Sequence, residues 1–290
     1  MQESRIQAHY GRPYPLSLAK SNLAQTRRLT SSWSPAMNET SLLVLPLLLG
    51  VGAAAGWIDS IAGGGGLLTV PVLLQLGLPP ADALGTNKLQ AVFGSGSAAW
   101  HYSRAGLIDF RDGLAGVIFT GIGAVLGAIA IQHFRPDFLR VVIPFLLIAI
   151  AVYFLVRPQL GDTDAHPRMK PAPFHFAFGL ALGFYDGFFG PGTGSFWAMA
   201  YVLVLGFNLT KATAHTKLMN FTSNAASLAM FLLAGKAQVL AGLAMGAGEL
   251  LGARLGAKMV IRRGARLIRP IFIAVALAIT ARLVITTFAH

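Results

Sequence analysis

Cysteine is absent from this 290-residue chain, which excludes disulfides, thiolate metal sites and cysteine nucleophiles and leaves its redox compartment open. Charge is scarce too. Only 12% of positions carry it, against about a quarter in a soluble domain, and that is too little for a surface that faces water. Acidic residues are the scarcest, 11 against 23 basic ones, for a formal net charge of +12. This excess does not point to nucleic acid, because the basic residues gather in short loops between apolar runs, where they act as topology signals. Catalytic motifs are missing as well: there is no H-E-x-x-H, no G-x-S-x-G, no Walker A loop and no G-x-G-x-x-G after a strand. The run Gly85-Thr86-Asn87-Lys88 shares only its composition with a phosphate loop. The sequence therefore predicts no enzyme, no catalytic residue, no cofactor and no metal site.

What is present instead is apolar length. Thr40 to Ile58 runs 19 positions and Gly113 to Phe134 runs 22 without a charged residue, which matches the roughly 20 residues needed to cross a bilayer as a helix. These runs predict an all-α integral membrane protein. Main spans are expected near Leu42 to Ala62, Ala81 to Ser103, Asp112 to Gln132, Phe138 to Val156, Phe174 to Gly190, Thr210 to Ala234, Leu240 to Val260 and Leu267 to Phe288. Ahead of them, residues 1–36 form a polar arm carrying Arg5, Arg12, Lys20, Arg27 and Arg28, without the apolar core of a signal peptide. It reads as disordered, or as untranslated if Met37, just ahead of the first apolar run, is the physiological start. Residues 157–173, rich in Pro, Asp, Arg and Lys, are a polar linker between a first membrane repeat, 37–156, and a second, 174–290.

The halves repeat in sequence. A shift of 129 positions aligns Lys88-Leu89 with Lys217-Leu218, Gly106 with Gly235, and Gly123 and Gly127 with Gly252 and Gly256; 16 of 65 ungapped positions from Leu76 to Arg140 are identical. A shift of 127 pairs Gly56, Asp59, Gly63 and Gly65 with Gly183, Asp186, Gly190 and Gly192. Repeated halves with glycine-interrupted segments in matching places form the pattern of secondary transporters, whose site lies between the repeats. The topology turns on two short apolar pieces, Leu67 to Leu78 and Ser195 to Phe207. If they do not cross, each half makes four crossings, the halves are parallel and the loop Lys/Arg residues divide six to six. If they cross, the halves are inverted and only Arg135 and Lys236 lie opposite the other ten. The positive-inside rule favours inverted halves. The expected fold is thus eight main transmembrane spans plus two short glycine-interrupted segments.

Chemistry concentrates at the interruptions. Gly63, Gly64, Gly65 and Gly66 follow Asp59, and Gly190, Gly192, Thr193 and Gly194 follow Asp186. Unwound backbone in a membrane must face protein or water, and the helix begun at such glycines turns free N–H groups and a positive dipole end inward, an anion site in outline. Lys88, beside Thr86 and Asn87, and Lys217, beside His215 and Thr216, lie several residues inside apolar helices. An intramembrane lysine faces a cavity or a partner, or snorkels to the interface. Together these residues make an anion-binding set, with Asn220 and Asn224 as further polar neighbours. Asp59, Asp186 and Glu249 are candidates for proton coupling; the aspartates can instead pair with the lysines, and Glu249 with a basic residue such as Arg254. The small-xxx-small series Gly52/Gly56, Gly123/Gly127, Gly179/Gly183/Gly187 and Gly248/Gly252/Gly256 predicts close helix crossings.

The run Gly56-Trp57-Ile58-Asp59-Ser60-Ile61-Ala62-Gly63-Gly64-Gly65-Gly66-Leu67-Leu68-Thr69-Val70-Pro71, followed by Ala83-Leu84-Gly85-Thr86-Asn87-Lys88, resembles the first half of the sulfite exporter TauE/SafE family. The resemblance covers about Leu42 to Phe288. It departs from the usual wording in the second half, at Pro191 and at His215-Thr216-Lys217. It implies a multi-pass permease of the bacterial inner membrane for sulfite, an organosulfonate or a related small anion. The expected partners are that anion, the lipid bilayer and a coupling ion, proton or sodium, with no nucleic acid; the glycine-rich faces would also suit a homodimer. A passive anion channel and a non-transporting membrane subunit are the alternatives.

Overall fold

The computed structural model describes residues 41–108, 110–133 and 161–274. By internal contacts the chain separates into Met1–Leu43 and Val44–His290; of the first unit only residues 41–43, which open the first helix, are described. The described residues are all helical or connecting: α1 Ser41–Ala62, α2 Gly65–Gln75, α3 Pro80–Arg104, α4 Phe110–Ile131, α5 Pro171–Phe188, α6 Thr193–Val204, α7 Leu209–Leu233, α8 Val239–Arg263 and α9 over 265–274. The expected span Phe138 to Val156, the rest of the last expected span, the arm and Met37 lie outside the described residues.

Local sequence sets the helix ends. Pro80 and Pro171 occupy the first helical turns of α3 and α5, where a missing N–H costs nothing. Asn208 caps α7, its side chain accepting from the Lys211 amide at 2.9 Å. α5 starts at Pro171, inside the expected linker, and the short helices start at Gly65 and Thr193, inside the glycine clusters and two residues ahead of the apolar pieces. Apolarity alone places a start where side chains become large, whereas the glycines themselves already have helical geometry.

Among the described residues large apolar side chains face outward while charged ones are buried. Leu114, Ile118, Ile122, Leu126 and Ile129 form an exposed stripe on α4, and Leu243, Leu250, Leu251 and Leu255 are exposed on α8, while Lys88, Lys217, Asp186 and Glu249 are buried. Such an arrangement suits lipid as solvent. Segments of α1, α4 and α8 are long and apolar enough to cross a membrane. Helices α3 and α7 are equally long, but their hydropathy is lowered by polar side chains that they bury. The short α6 is covered by protein, with Trp197, Ala198, Met199, Ala200, Tyr201 and Val202 all buried, and Phe174, Trp197 and Tyr201 packed ring against ring.

Glycines bring the long helices together crosswise. A β-carbon on Gly52 or Gly56 of α1 would overlap the Met245 or Glu249 backbone of α8, and one on Gly248 or Gly252 would overlap Leu49 or Ala53 of α1. Helices α4 and α5 meet in the same way, through Gly123 and Gly127 against Leu180 and Phe184 and through Gly183 and Gly187 against Thr120 and Ala124. The expected packing role of these glycines is met. Gly50, by contrast, has open space where its β-carbon would lie. Gly123→Ala should therefore destabilise the protein by about 1–3 kcal/mol, the usual cost of overpacking, whereas Gly50→Ala should leave the melting temperature unchanged or slightly raised; thermal melts of the two detergent-purified variants check this.

Candidate functional site

The two helix interruptions touch. After α1 the chain passes through Gly63 at φ +77°, and after α5 through Gly190 at φ +94°, left-handed values that side chains rarely tolerate. A β-carbon on Gly63 would lie 2.5 Å from the Gly194 Cα, so the start of α6 rests directly on the first break. Ser195 Oγ donates to the Ala62 carbonyl at 2.9 Å, Tyr102 Oη to the Ser60 carbonyl at 2.8 Å, and Tyr185 Oη to the Pro191 carbonyl at 2.6 Å. These hydroxyls satisfy carbonyls that the broken helices leave without a helical partner.

Each lysine reaches across to the other break. Lys88 Nζ, on α3, donates to Asp186 Oδ1 and to the Asp186 carbonyl, both at 2.6 Å, and to Asn224 Oδ1 at 3.2 Å, which uses all three donors of its ammonium. Asp186 Oδ2 accepts from Ser223 Oγ. Lys217 Nζ, on α7, donates to Asp59 Oδ2 at 3.0 Å, while Asp59 Oδ1 accepts from the Gly65 amide at 3.3 Å. The lysine side chains are 1% and 0% exposed, so neither snorkels to an interface. Removing one partner of a buried pair strands the other charge, at about 3–5 kcal/mol.

Between the breaks lies a cavity of about 30 Å³ lined by Asp59, Asp186, Glu249, Asn87, Asn220, Asn224, Thr193 and the backbone of Gly63, Gly66, Gly190, Gly192 and Gly194. Its lining is polar and it has room for at least one water. Of the sequence-predicted residues, it gathers both aspartates, Glu249, Asn87, Thr193 and five of the glycines. Gly64, Gly65, Lys88 and Lys217 stand behind that lining. Thr86, His215 and Thr216 are not brought there: Thr86 Oγ1 accepts from the Gln238 amide at 2.9 Å, Thr216 Oγ1 donates to the Ala212 carbonyl at 2.8 Å, and the His215 ring packs on Tyr201 and Phe207. Glu249 is buried while Arg254 is exposed, and no ion pair joins them among the described residues. Ser223, Thr69 and the two tyrosines were not singled out by the sequence. The signal for Ser223 was its place in the polar run Asn220-Phe221-Thr222-Ser223-Asn224; Thr69, which donates to Asn87 Oδ1 at 2.7 Å, had none.

Lys88→Met should lower stability by about 3–5 kcal/mol because Asp186 is left buried and unpaired. Lys88→Met with Asp186→Asn should recover most of that loss. Thermal or denaturant melts of the single and double variants measure the coupling, and a double variant no more stable than Lys88→Met contradicts it.

Comparison with known proteins places the chain. The sequence model of a family described as sulfite exporter TauE/SafE matches residues 48–283. The chain is 47% identical over 245 residues to the probable membrane transporter protein YfcA of Escherichia coli strain K12, covering 83% of this chain and 91% of that protein. It is 49% identical over 241 residues to a probable membrane transporter protein of Haemophilus influenzae, covering 83% and 94%, and 26% identical over 236 residues to the probable membrane transporter protein YunE of Bacillus subtilis, covering 73% and 86%. No solved structure matches the chain. With a family match across most of its length and relatives this similar, the protein is a membrane protein that belongs to the sulfite exporter TauE/SafE family of transporters.

Proposed function

We propose that the protein is a secondary transporter of a small anion, sulfite, an organosulfonate or a related sulfur oxyanion, in the bacterial inner membrane. One observation carries this reading. The Asp59 carboxylate is held by the Lys217 ammonium and by an amide at the start of α2, the two kinds of donor that an oxyanion would use at a broken helix. Asp186 is held likewise by Lys88 and the Ser223 hydroxyl. Each carboxylate stands in for the cargo. In this arrangement both lysines are already taken by carboxylates, which favours a gated carrier over a passive channel.

Cargo reaches a lysine only when an aspartate lets go. The released carboxylate is then a buried unpaired charge, several kcal/mol uphill, unless a proton or another cation neutralises it. Anion and cation thereby move together, which couples transport to an ion gradient without nucleotide hydrolysis.

The architecture proposed with this function is two homologous inverted halves, of eight main transmembrane spans and two short segments in all, with residues 157–173 between them. Reciprocal contacts support the duplication: Lys88 pairs with Asp186 and its counterpart Lys217 with Asp59, while Gly56 rests on Glu249 and its counterpart Gly183 on Thr120, the position matching Glu249. The excess of loop Lys/Arg on one side supports inversion.

In proteoliposomes, wild-type protein should carry radiolabelled sulfite or sulfoacetate, and cargo on the opposite side should accelerate exchange. Lys88→Met with Asp186→Asn, once its melt shows a folded protein, should reduce the rate by about 10- to 100-fold, the factor for a lost hydrogen bond to a charged group. Flux without acceleration from the opposite side would identify a channel. Unchanged flux in the double variant would remove Lys88 from the cargo site.

A further inference from the structure

The exposed face of α8 changes character along its length. Its start shows Val239, Leu240 and Leu243, and further on come Leu250, Leu251 and Leu255. Beside these leucines a row of exposed cations runs at four-residue spacing, Arg254, Lys258 and Arg262. Arg263 ends the helix, the chain turns through Gly264 at φ +56°, and Arg266 follows in the first turn of α9. Arg263 and Arg266 are exposed too, and with Arg262 and Leu267 they line one open cavity at the turn.

These five cations have no acidic counterpart. From Arg254 to Arg266 the sequence holds no Asp or Glu, and the single acid of α8 is the buried Glu249. None of the five joins an ion pair among the described residues. Like charges four residues apart on a helix destabilise it, so the row calls for an anion from outside the chain. The arginines at the turn are also firmly seated. A β-carbon on Gly264 would lie 3.1 Å from Thr210 Oγ1 of α7, and Ile268 and Phe272 bury the other face of α9.

Depth selects the anion. Helix α8 has 25 residues at about 1.5 Å each, so it is about 38 Å long, whereas the hydrocarbon core of a bilayer is about 30 Å thick. Its first turns are apolar, so the excess lies at the basic end and puts Arg262, Arg263 and Arg266 in the headgroup layer. Lys258 then lies near the hydrocarbon boundary and Arg254 about one turn deeper. Unpaired cations at that depth are costly, and long side chains there extend toward the headgroups. The anions found in that layer are lipid phosphates, and basic pockets between membrane helices are suited to them.

We propose that the end of α8 and its turn into α9 bind one anionic diacyl phospholipid. Arg262, Arg263 and Arg266 hold its phosphate, Lys258 and Arg254 reach the same headgroup from the hydrocarbon side, and its acyl chains lie along Leu251 and Leu255. A zwitterionic headgroup brings its own ammonium, which offsets the attraction, so the site discriminates by net headgroup charge. It is separate from the cavity between the breaks and does not depend on which cargo is carried.

The test uses full-length protein, delipidated in detergent at fixed pH and ionic strength, with added dioleoylphosphatidylglycerol, dioleoylphosphatidylcholine or inorganic phosphate. Phosphatidylglycerol should raise the melting temperature several degrees more than phosphatidylcholine, inorganic phosphate should leave it unchanged, and native mass spectrometry should find one phosphatidylglycerol retained per chain. Arg262→Gln with Arg263→Gln and Arg266→Gln should melt like the wild type without lipid, yet lose most of the shift and the retained lipid. If that triple variant is unstable, the single variants Arg262→Gln and Arg266→Gln carry the test, each with a reduced shift. Arg168→Gln with Lys170→Gln, which removes exposed charge from the linker, should keep the full shift. Equal shifts with the two lipids, an equal response to inorganic phosphate, or an undiminished shift in the arginine variants overturns the proposal. So does an equal loss in the linker variant, which would make the effect one of net charge alone.

Discussion

Two lysine–aspartate pairs, crossed between the two glycine breaks with both lysines fully buried, are the constraint on which the rest of the structure depends. Charges in a bilayer interior are tolerated only with partners, so each lysine on a long helix requires an aspartate at the end of a broken one. Meeting that requirement fixes α3 and α7 against α5 and α1 and holds the breaks together at Gly63 and Gly194. The tyrosine and serine hydroxyls that close the loose carbonyls are secondary to this. An ion pair is also a reversible fastening, because its cost of separation falls once either partner finds another charge. A packed apolar contact offers no such exchange, and for that reason a transporter benefits from electrostatic rather than apolar closure at its centre.

Around this centre the glycines perform a different task. At Gly56, Gly123, Gly183 and Gly252 they let backbones touch, which brings α1 onto α8 and α4 onto α5. At Gly63 and Gly190 they allow a left-handed backbone. The first kind of position sets rigid bodies and the second sets where those bodies join. At the positions paired by the 129-residue shift, Glu249 stands against Thr120 and Gly94 against Ser223, so the polar groups of the two halves differ there.

Much of this frame was legible in the sequence because lipid imposes a simple code. Charge-free runs of the right length marked most of α1 and α4, two of the helices long and apolar enough to cross a membrane, and the small-xxx-small spacing marked where α1 meets α8 and α4 meets α5. The short helices were placed two residues late, since hydropathy counts side chains and glycine has none. At the site, Lys88, Lys217, Asp59 and Asp186 could be singled out from their cost in a membrane, and their pairing was one of the readings that the residues allowed. What the sequence could not provide was direction. Whether Lys88 turns to the cavity or to a carboxylate is decided only by three-dimensional proximity; Thr86 shares its helix, and His215 and Thr216 share that of Lys217, yet all three face elsewhere. Ser223 escaped notice because an uncharged hydroxyl within α7 has no large cost in a membrane to mark it. Its partnership with Asp186 joins positions 37 residues apart.

The central claim is that cargo and carboxylate compete for the same lysines. A cryo-electron microscopy structure at saturating sulfite tests it most directly. The account predicts anion density against a lysine ammonium, with the Lys88–Asp186 separation opened from 2.6 Å beyond hydrogen-bond range or the Lys217–Asp59 pair opened likewise from 3.0 Å. Both pairs intact with sulfite bound elsewhere in the protein would contradict it.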